Sequence, residues 1–229
     1  MPPLNEAPKR RRTTLNRDRV LDAGIALADA EGIGAVTMRR LGRELGVEGM
    51  ALYNHIDNKH DRLDGMLDCV AAEIELPDSG PDWRDQARRR AISAHAAFMR
   101  HPWSAALWTA SINLGPARMR YLDNALRSLR QAGFPLELLD RTFHTIENHI
   151  VGHALQALGF PLDHGQMEQI GEDFLRTFPV TQYPDLAAHI RHHLEHQDNG
   201  DGFEFGLDLI LDGLERMRTP SQRPLPGPR

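Results

Sequence analysis

Hydrophobic positions recur at helical spacing along most of the chain, and no stretch keeps the strict alternation of a strand. Val20, Leu21, Gly24, Leu27 and Ala28 form the first stripe, on a helix that Asn16 can cap and that runs to about Ala30. Gly32 and Gly34 interrupt it. Met38, Leu41 and Leu45 form the second stripe, with Arg39, Arg40 and Arg43 turned to solvent. Thr37 is the N-cap of this short helix, and Gly46 ends it where a left-handed residue costs least. A further short helix, Gly49 to His55, brings Ala51, Leu52 and Tyr53 together, and Leu63, Met66, Leu67, Val70 and Ile74 mark a longer one from Lys59 to Ile74.

The break PDSGP at 77–81 separates this region from segments predicted helical near 82–100, 103–110, 115–132, 135–158, 165–178, 183–196 and 203–218. The fold class is all-α. The expected organisation is a basic arm at 1–15, a three-helix domain at 16–62, a second helical domain at 63–218 and a tail at 219–229. Both ends lack periodicity and are expected to be disordered. The helix at 59–74 couples the two domains.

Two short helices joined by a tight glycine turn and followed at once by a third form a helix-turn-helix layout, whose second helix fits the major groove of DNA. The overall charge of −5 argues against a polyanionic partner, but its distribution does not. Residues 1–62 carry 11 basic and 9 acidic side chains, against 16 and 23 in the remainder. Lys9, Arg10, Arg11, Arg12, Arg17 and Arg19 cluster beside the proposed groove reader.

Other classes are disfavoured. No apolar run is long enough to span a membrane, the N-terminus lacks the apolar core of a signal peptide, and Cys69 is the only cysteine. A cytoplasmic protein without membrane association is expected. His149 and His153, like His192 and His196, stand at i, i+4, a spacing that can ligate a metal or simply mark a surface or interface. Neither pair has a third ligand at fixed spacing, so no metal or cofactor is expected. His144, Glu147 and His149 are the residues an all-helical metal-dependent enzyme would use. No nucleophile elbow, phosphate loop or HExxH accompanies them, so the chain is not expected to be an enzyme.

The segment LGVEGMALYNHIDNKHDRLDGM resembles the tetracycline-repressor (TetR) family, whose signature joins a helix-turn-helix to L-Y-x-H-x-x-x-K-x-x-L. Leu52, Tyr53, His55 and Lys59 match, and Leu63 falls one position late. Val151-Gly152-His153 and FEFGLDLILDGLERM carry a narrower resemblance to the tetracycline repressor subclass. The resemblance implies a homodimer on a pseudo-palindromic double-stranded operator, released by a small-molecule inducer; an activator of the same architecture is the alternative. The implied dimer interface comprises Ile146, Ile150, His153, Phe203, Leu207, Ile210, Leu211 and Leu214. Glu75, Arg90 and Trp108 stand where the tetracycline repressor uses a histidine, an asparagine and a metal-binding histidine, and Pro161 lies near a metal-linked carboxylate. Only Glu75 could act in kind, so an inducer other than tetracycline is implied.

At the DNA end, Arg39 is the candidate for a bidentate guanine contact. Gly49, Met50 and Ala51 form an almost apolar entry, suited to a thymine methyl and to shape readout. Glu48 either caps the helix or accepts from a cytosine amine. Tyr53 and His55, with Asn54 between them, and Lys59 match positions that hold phosphates in the family; Tyr53 is alternatively a core ring. Thr37 joins this set, while Arg17, Arg40 and Arg43 are phosphate contacts or a solvated face. The arm Lys9–Arg12 adds salt-dependent affinity or merely solubility. Met99, Trp103, Leu107, Trp108, Met119, Phe143, His144 and Glu147 are the candidates for an inducer pocket, each with core packing as its alternative.

Overall fold

A computed structural model describes residues 14–77, 82–159, 164–195 and 202–218. The arm at Lys9–Arg12, most of the break at 77–81, Pro161, His196 and the tail 219–229 lie outside the described residues. Among the described residues all regular structure is helical, as expected: α1 (Arg17–Glu31), α2 (Met38–Leu45), α3 (Lys59–Ala72), α4 (Trp83–Arg100), α5 (Pro102–Ala110), α6 (Pro116–Gln131), α7 (Leu136–Gly159), α8 (His164–Thr177), α9 (Pro184–Glu195) and α10 (Gly202–Arg218). No described helix is long and apolar enough to cross a membrane.

The N-terminal helices start and stop for local reasons. Asn16 accepts from the Arg19 amide, Thr37 from the Arg40 amide and Asn58 from the Asp61 amide, so each cap supplies an acceptor to a first-turn donor. Gly46 closes α2 in the left-handed region, at φ 67° and ψ 35°. Two expectations are corrected here. The segment Gly49–Asn54 is a 3-10 helix rather than an α-helix reaching His55, and α3 ends at Ala72 rather than Ile74. Ile74 is buried nonetheless, so the apolar period outlasts the helix by two residues.

The second domain packs α4 against α6, α7 and α10. Its core is mostly apolar, and one of its polar clusters lies where α4 crosses α7 and α10. There the Phe203 ring lies between the near-parallel rings of His95 (4.0 Å between centroids, 11°) and His149 (4.9 Å, 12°), with His153 against its edge. His95 Nε2 and His153 Nδ1 share a hydrogen bond of 3.0 Å, and His149 Nε2 donates to the Phe203 carbonyl at 2.9 Å.

Burial, with His153 and His149 beside it, holds the His95 pKa down to about 4 from 6.5. The neutral ring is therefore the form that folds, and its stabilisation is fully present above pH 6.5 and lost as pH falls toward 4. Full burial would make that gap worth about 3 kcal/mol, which contact with water reduces to roughly 2 kcal/mol. Urea unfolding at pH 7.5 and 4.5 should show this loss, and His95→Gln should remove most of it; an unchanged pH slope in the variant would reject the assignment.

Most of the expected dimer residues have packing partners within the single chain. Ile146, Ile150, Phe203, Leu207, Leu211 and Leu214 are buried inside the single chain, where α7 and α10 pack on each other and on α4. Periodicity identifies an apolar face but not what covers it. The outward stripe of α10 is a second one, Phe205, Leu209 and Met217, with Leu155 outward on α7 and Ile210 and His153 half-buried.

Candidate nucleic-acid interface and effector core

The close packing of α2 on the 3-10 helix depends on a glycine that the sequence reading did not single out. Gly42 is buried, and a Cβ there would stand 2.8 Å from the Val47 carbonyl oxygen and 3.0 Å from the Gly49 nitrogen. The Val47 amide donates to the Gly42 carbonyl at 2.9 Å, closing the turn. With Leu41, Leu52 and Ile56 buried beneath, the outer face carries Thr37, Arg39, Arg43, Glu48, Met50 (76% exposed), Tyr53 (47%), Asn54 and Lys59. Gly49, Ala51 and His55 are half-buried in the same surface. Tyr53 is thus not a core ring. Glu48 precedes the 3-10 helix without a side-chain capping bond.

Two arginines in the candidate set have partners within the chain. Arg17 grips Asp61 through both terminal nitrogens, at 2.9 and 2.6 Å, and donates to the His55 carbonyl at 3.1 Å. That clamp ties α1 to the start of α3. Arg40 pairs with Glu31 at 2.7 Å and Glu44 at 3.1 Å.

From its DNA-side end, α3 runs directly onto the second domain. Asp64 accepts from Ser111 Oγ (2.7 Å) and Asn113 Nδ2 (2.9 Å), and Asp68 accepts from the Ala117 and Arg118 amides (3.2 and 2.8 Å). Asp68 thereby satisfies two free amides at the positive end of α6, while Asp64, one turn earlier, holds two side chains of the loop before it. The Arg118 guanidinium donates to the Trp108 carbonyl at 3.1 Å and lies 4.7 Å from the Trp108 ring centroid. A second tie joins α1 to α5: Asp29 accepts from the Trp103 indole at 2.7 Å and meets His101 Nδ1 at 2.9 Å, while His101 Nε2 reaches Glu73 at 3.1 Å.

Behind Trp108 lies a polar group within the apolar core. Tyr121 donates its hydroxyl proton to Glu147, and Arg90 donates from Nη1 to Asn124 (3.4 Å) and Ser128 (3.5 Å). Burial pushes the Glu147 carboxyl and the Tyr121 hydroxyl up and the Arg90 guanidinium down. Trp108 meets Tyr121 and Phe98 edge-on, at 5.6 and 5.1 Å. Of the pocket candidates, Trp108 and Glu147 join this group. Leu107 and Phe143 are half-buried, Trp103 serves the α1–α5 tie, and Met99, Met119 and His144 face outward. Arg90, Tyr121 and Asn124 were not among the candidates; polar residues at inward helical positions were the available signal.

The family model for the C-terminal domain of tetracycline-repressor-like proteins matches residues 76–218, and that for bacterial regulatory proteins of the tetR family matches residues 20–61. The chain belongs to the TetR family. Among proteins similar to this TetR-family regulator, the HTH-type transcriptional repressor DrrR1 of Streptomyces coeruleorubidus is 33% identical over 88% of this chain and 78% of its own length. The tetracycline repressor protein class D of Escherichia coli is 28% identical over 90% of this chain and 91% of its own. The crystal structure of the Streptomyces coelicolor TetR family protein ActR in complex with actinorhodin superposes with a TM-score of 0.75 at 29% identity, covering 90% and 99% of the two chains.

Within this TetR-family fold, the residues that depart from the tetracycline repressor's pattern have structural employment. Glu75 pairs with Arg89 at the surface, Trp108 is a wall of the core, and Arg90 is inside it.

Proposed function

We propose that the protein is a homodimeric repressor that occupies a pseudo-palindromic operator through the face around Arg39, Met50, Tyr53 and Lys59 and leaves it when a small molecule other than tetracycline enters the second domain. The observation that carries the reading is continuity: α3 begins beside that face at Lys59 and ends its polar contacts at the first amides of α6. The names of DrrR1 and the class D protein as repressors support the direction of regulation, and the actinorhodin complex of ActR supports a small-molecule effector.

The route for the signal runs from the Tyr121–Glu147 pair through Trp108 to Arg118, and from there through Asp68 and Asp64 to α3. An effector that displaces Trp108 moves α3 and changes the spacing of the two reading faces, which a dimer sets about 34–36 Å apart. Emptying an operator from 99% to 1% occupancy requires about 5.5 kcal/mol of differential affinity between the two states.

The test is selection of duplexes from a random pool by the full chain, followed by metabolite fractions added to the selected complex. A palindrome should emerge and at least one fraction should release it; enrichment of no sequence rejects the reading. Arg39 supplies a sharper check. Arg39→Ala should weaken the selected duplex by about 1–3 kcal/mol and flatten preference at one position of each half-site, leaving random-sequence binding nearly unchanged. Intact preference in a titration would remove Arg39 from the reading face.

A further inference from the structure

Arg90 is 2% exposed, and among the described residues no carboxylate lies within ion-pair distance of it. Its hydrogen bonds to Asn124 and Ser128, at 3.4 and 3.5 Å, both leave from Nη1 and sit at the long edge of the range, and the Tyr121 hydroxyl is its other polar neighbour. A guanidinium is a planar fork that matches an acidic oxygen pair, and holding one in an apolar core without such a partner is costly. The nearest carboxylate that senses it, Glu147, is occupied by the Tyr121 hydroxyl instead. Tyr121 is also in edge-to-face contact with Trp108, which meets Phe98 in the same way, so the polar group borders aromatic surface suited to a flat ring.

We propose that Arg90 is the anion-reading group of the effector site, and that the effector is a planar aromatic molecule carrying an acidic oxygen group that takes the Arg90 fork directly. This rests on the reading that the second domain holds the effector. Tyr121 and Glu147, as a donor and acceptor pair, then read a hydroxyl or carbonyl beside the acid. A guanidinium at this position repels a metal cation, so the acid is recognised by hydrogen bonds and charge rather than as a chelate.

The test titrates 2-naphthoate, 2-naphthamide and 2-naphthylmethylammonium calorimetrically into the full-length protein and Arg90→Met. Methionine keeps the apolar, unbranched stem while removing the buried charge, an exchange proteins often tolerate. The naphthoate should bind the wild type at least tenfold more tightly than the amide, a difference of about 1.4 kcal/mol, and the ammonium should bind weakest. In Arg90→Met the acid and amide should bind alike, with the amide unchanged. Arg90→Lys, which keeps charge but loses the fork, should retain part of the preference and serves if the methionine variant does not fold.

Equal binding of acid and amide by the wild type, an acid preference that survives Arg90→Met, or binding of none of the three by operator-competent protein would overturn the inference. An operator titration in parallel separates it from the broader reading. Acid binding that depends on Arg90 without any change in operator affinity keeps the anion site and rejects the effector role. Operator release by the amide or the ammonium alone does the reverse.

Discussion

Gly42→Val is expected to abolish specific duplex binding and to lower the melting temperature by several degrees. The clash is with backbone: a Cβ at this position would meet the Val47 carbonyl oxygen at 2.8 Å, the Gly49 nitrogen at 3.0 Å and the Gly49 Cα at 3.2 Å. No rotamer change relieves such contacts, so α2 and the 3-10 helix must move apart. Overpacking of this kind costs about 1–3 kcal/mol, which in a chain of this size corresponds to a drop of roughly 2–12 °C. The effect on binding is larger than the effect on stability. The turn is also held by the Val47 amide on the Gly42 carbonyl, and separation of the two elements re-aims Met50 and Ala51 at the groove entry. Circular dichroism melting and an anisotropy titration check both parts. Gly42→Ala should show a smaller version of each, and wild-type affinity in Gly42→Val would show that the reading face does not depend on this contact.

Much of that architecture was legible in the sequence because local rules fixed it. Asn16 and Thr37 cap the helices they were expected to cap, and Gly46 takes the left-handed conformation that ends α2. The stripe Val20, Leu21, Gly24, Leu27 and Ala28 is buried as the period implied. What remained illegible was tertiary in origin. Gly42 looks like any helix glycine until the turn folds back onto it. Arg17 looks like part of a basic cluster until Asp61, 44 positions away, takes its fork. The carboxylates Asp64 and Asp68 stand one turn apart, but nothing local says that the first meets the loop before α6 and the second its first amides. Arg90 was noticed only as a departure from the tetracycline repressor's pattern, and its burial among Asn124, Ser128 and Tyr121 gives that departure a chemical meaning.

The same limit governs α10, and it sets the second large effect. Phe205→Glu combined with Leu209→Glu is expected to convert the proposed dimer to monomers and to remove nearly all operator affinity, with the fold retained. The helix carries two apolar stripes. The one richer in fully buried chains, Phe203, Leu207, Leu211 and Leu214, is consumed by α7 and α4, while Phe205 (67% exposed) and Leu209 (57%) remain outside. Covering each of those two chains gains about 1.5–3 kcal/mol, and a dyad counts each gain twice. Two carboxylates per chain in their place would be buried without partners in such an interface, replacing that gain with a desolvation cost. A monomer then holds one half-site and forfeits the effective concentration that joins the two, a loss of about 10²–10⁴ in affinity. Leu211→Glu is the contrasting control. It buries a charge in the core of the single chain, so it should unfold the protein rather than dissociate it. Sedimentation velocity separates the cases: folded monomers for the outer pair support this face, whereas folded dimers with full operator affinity would place the interface on another surface.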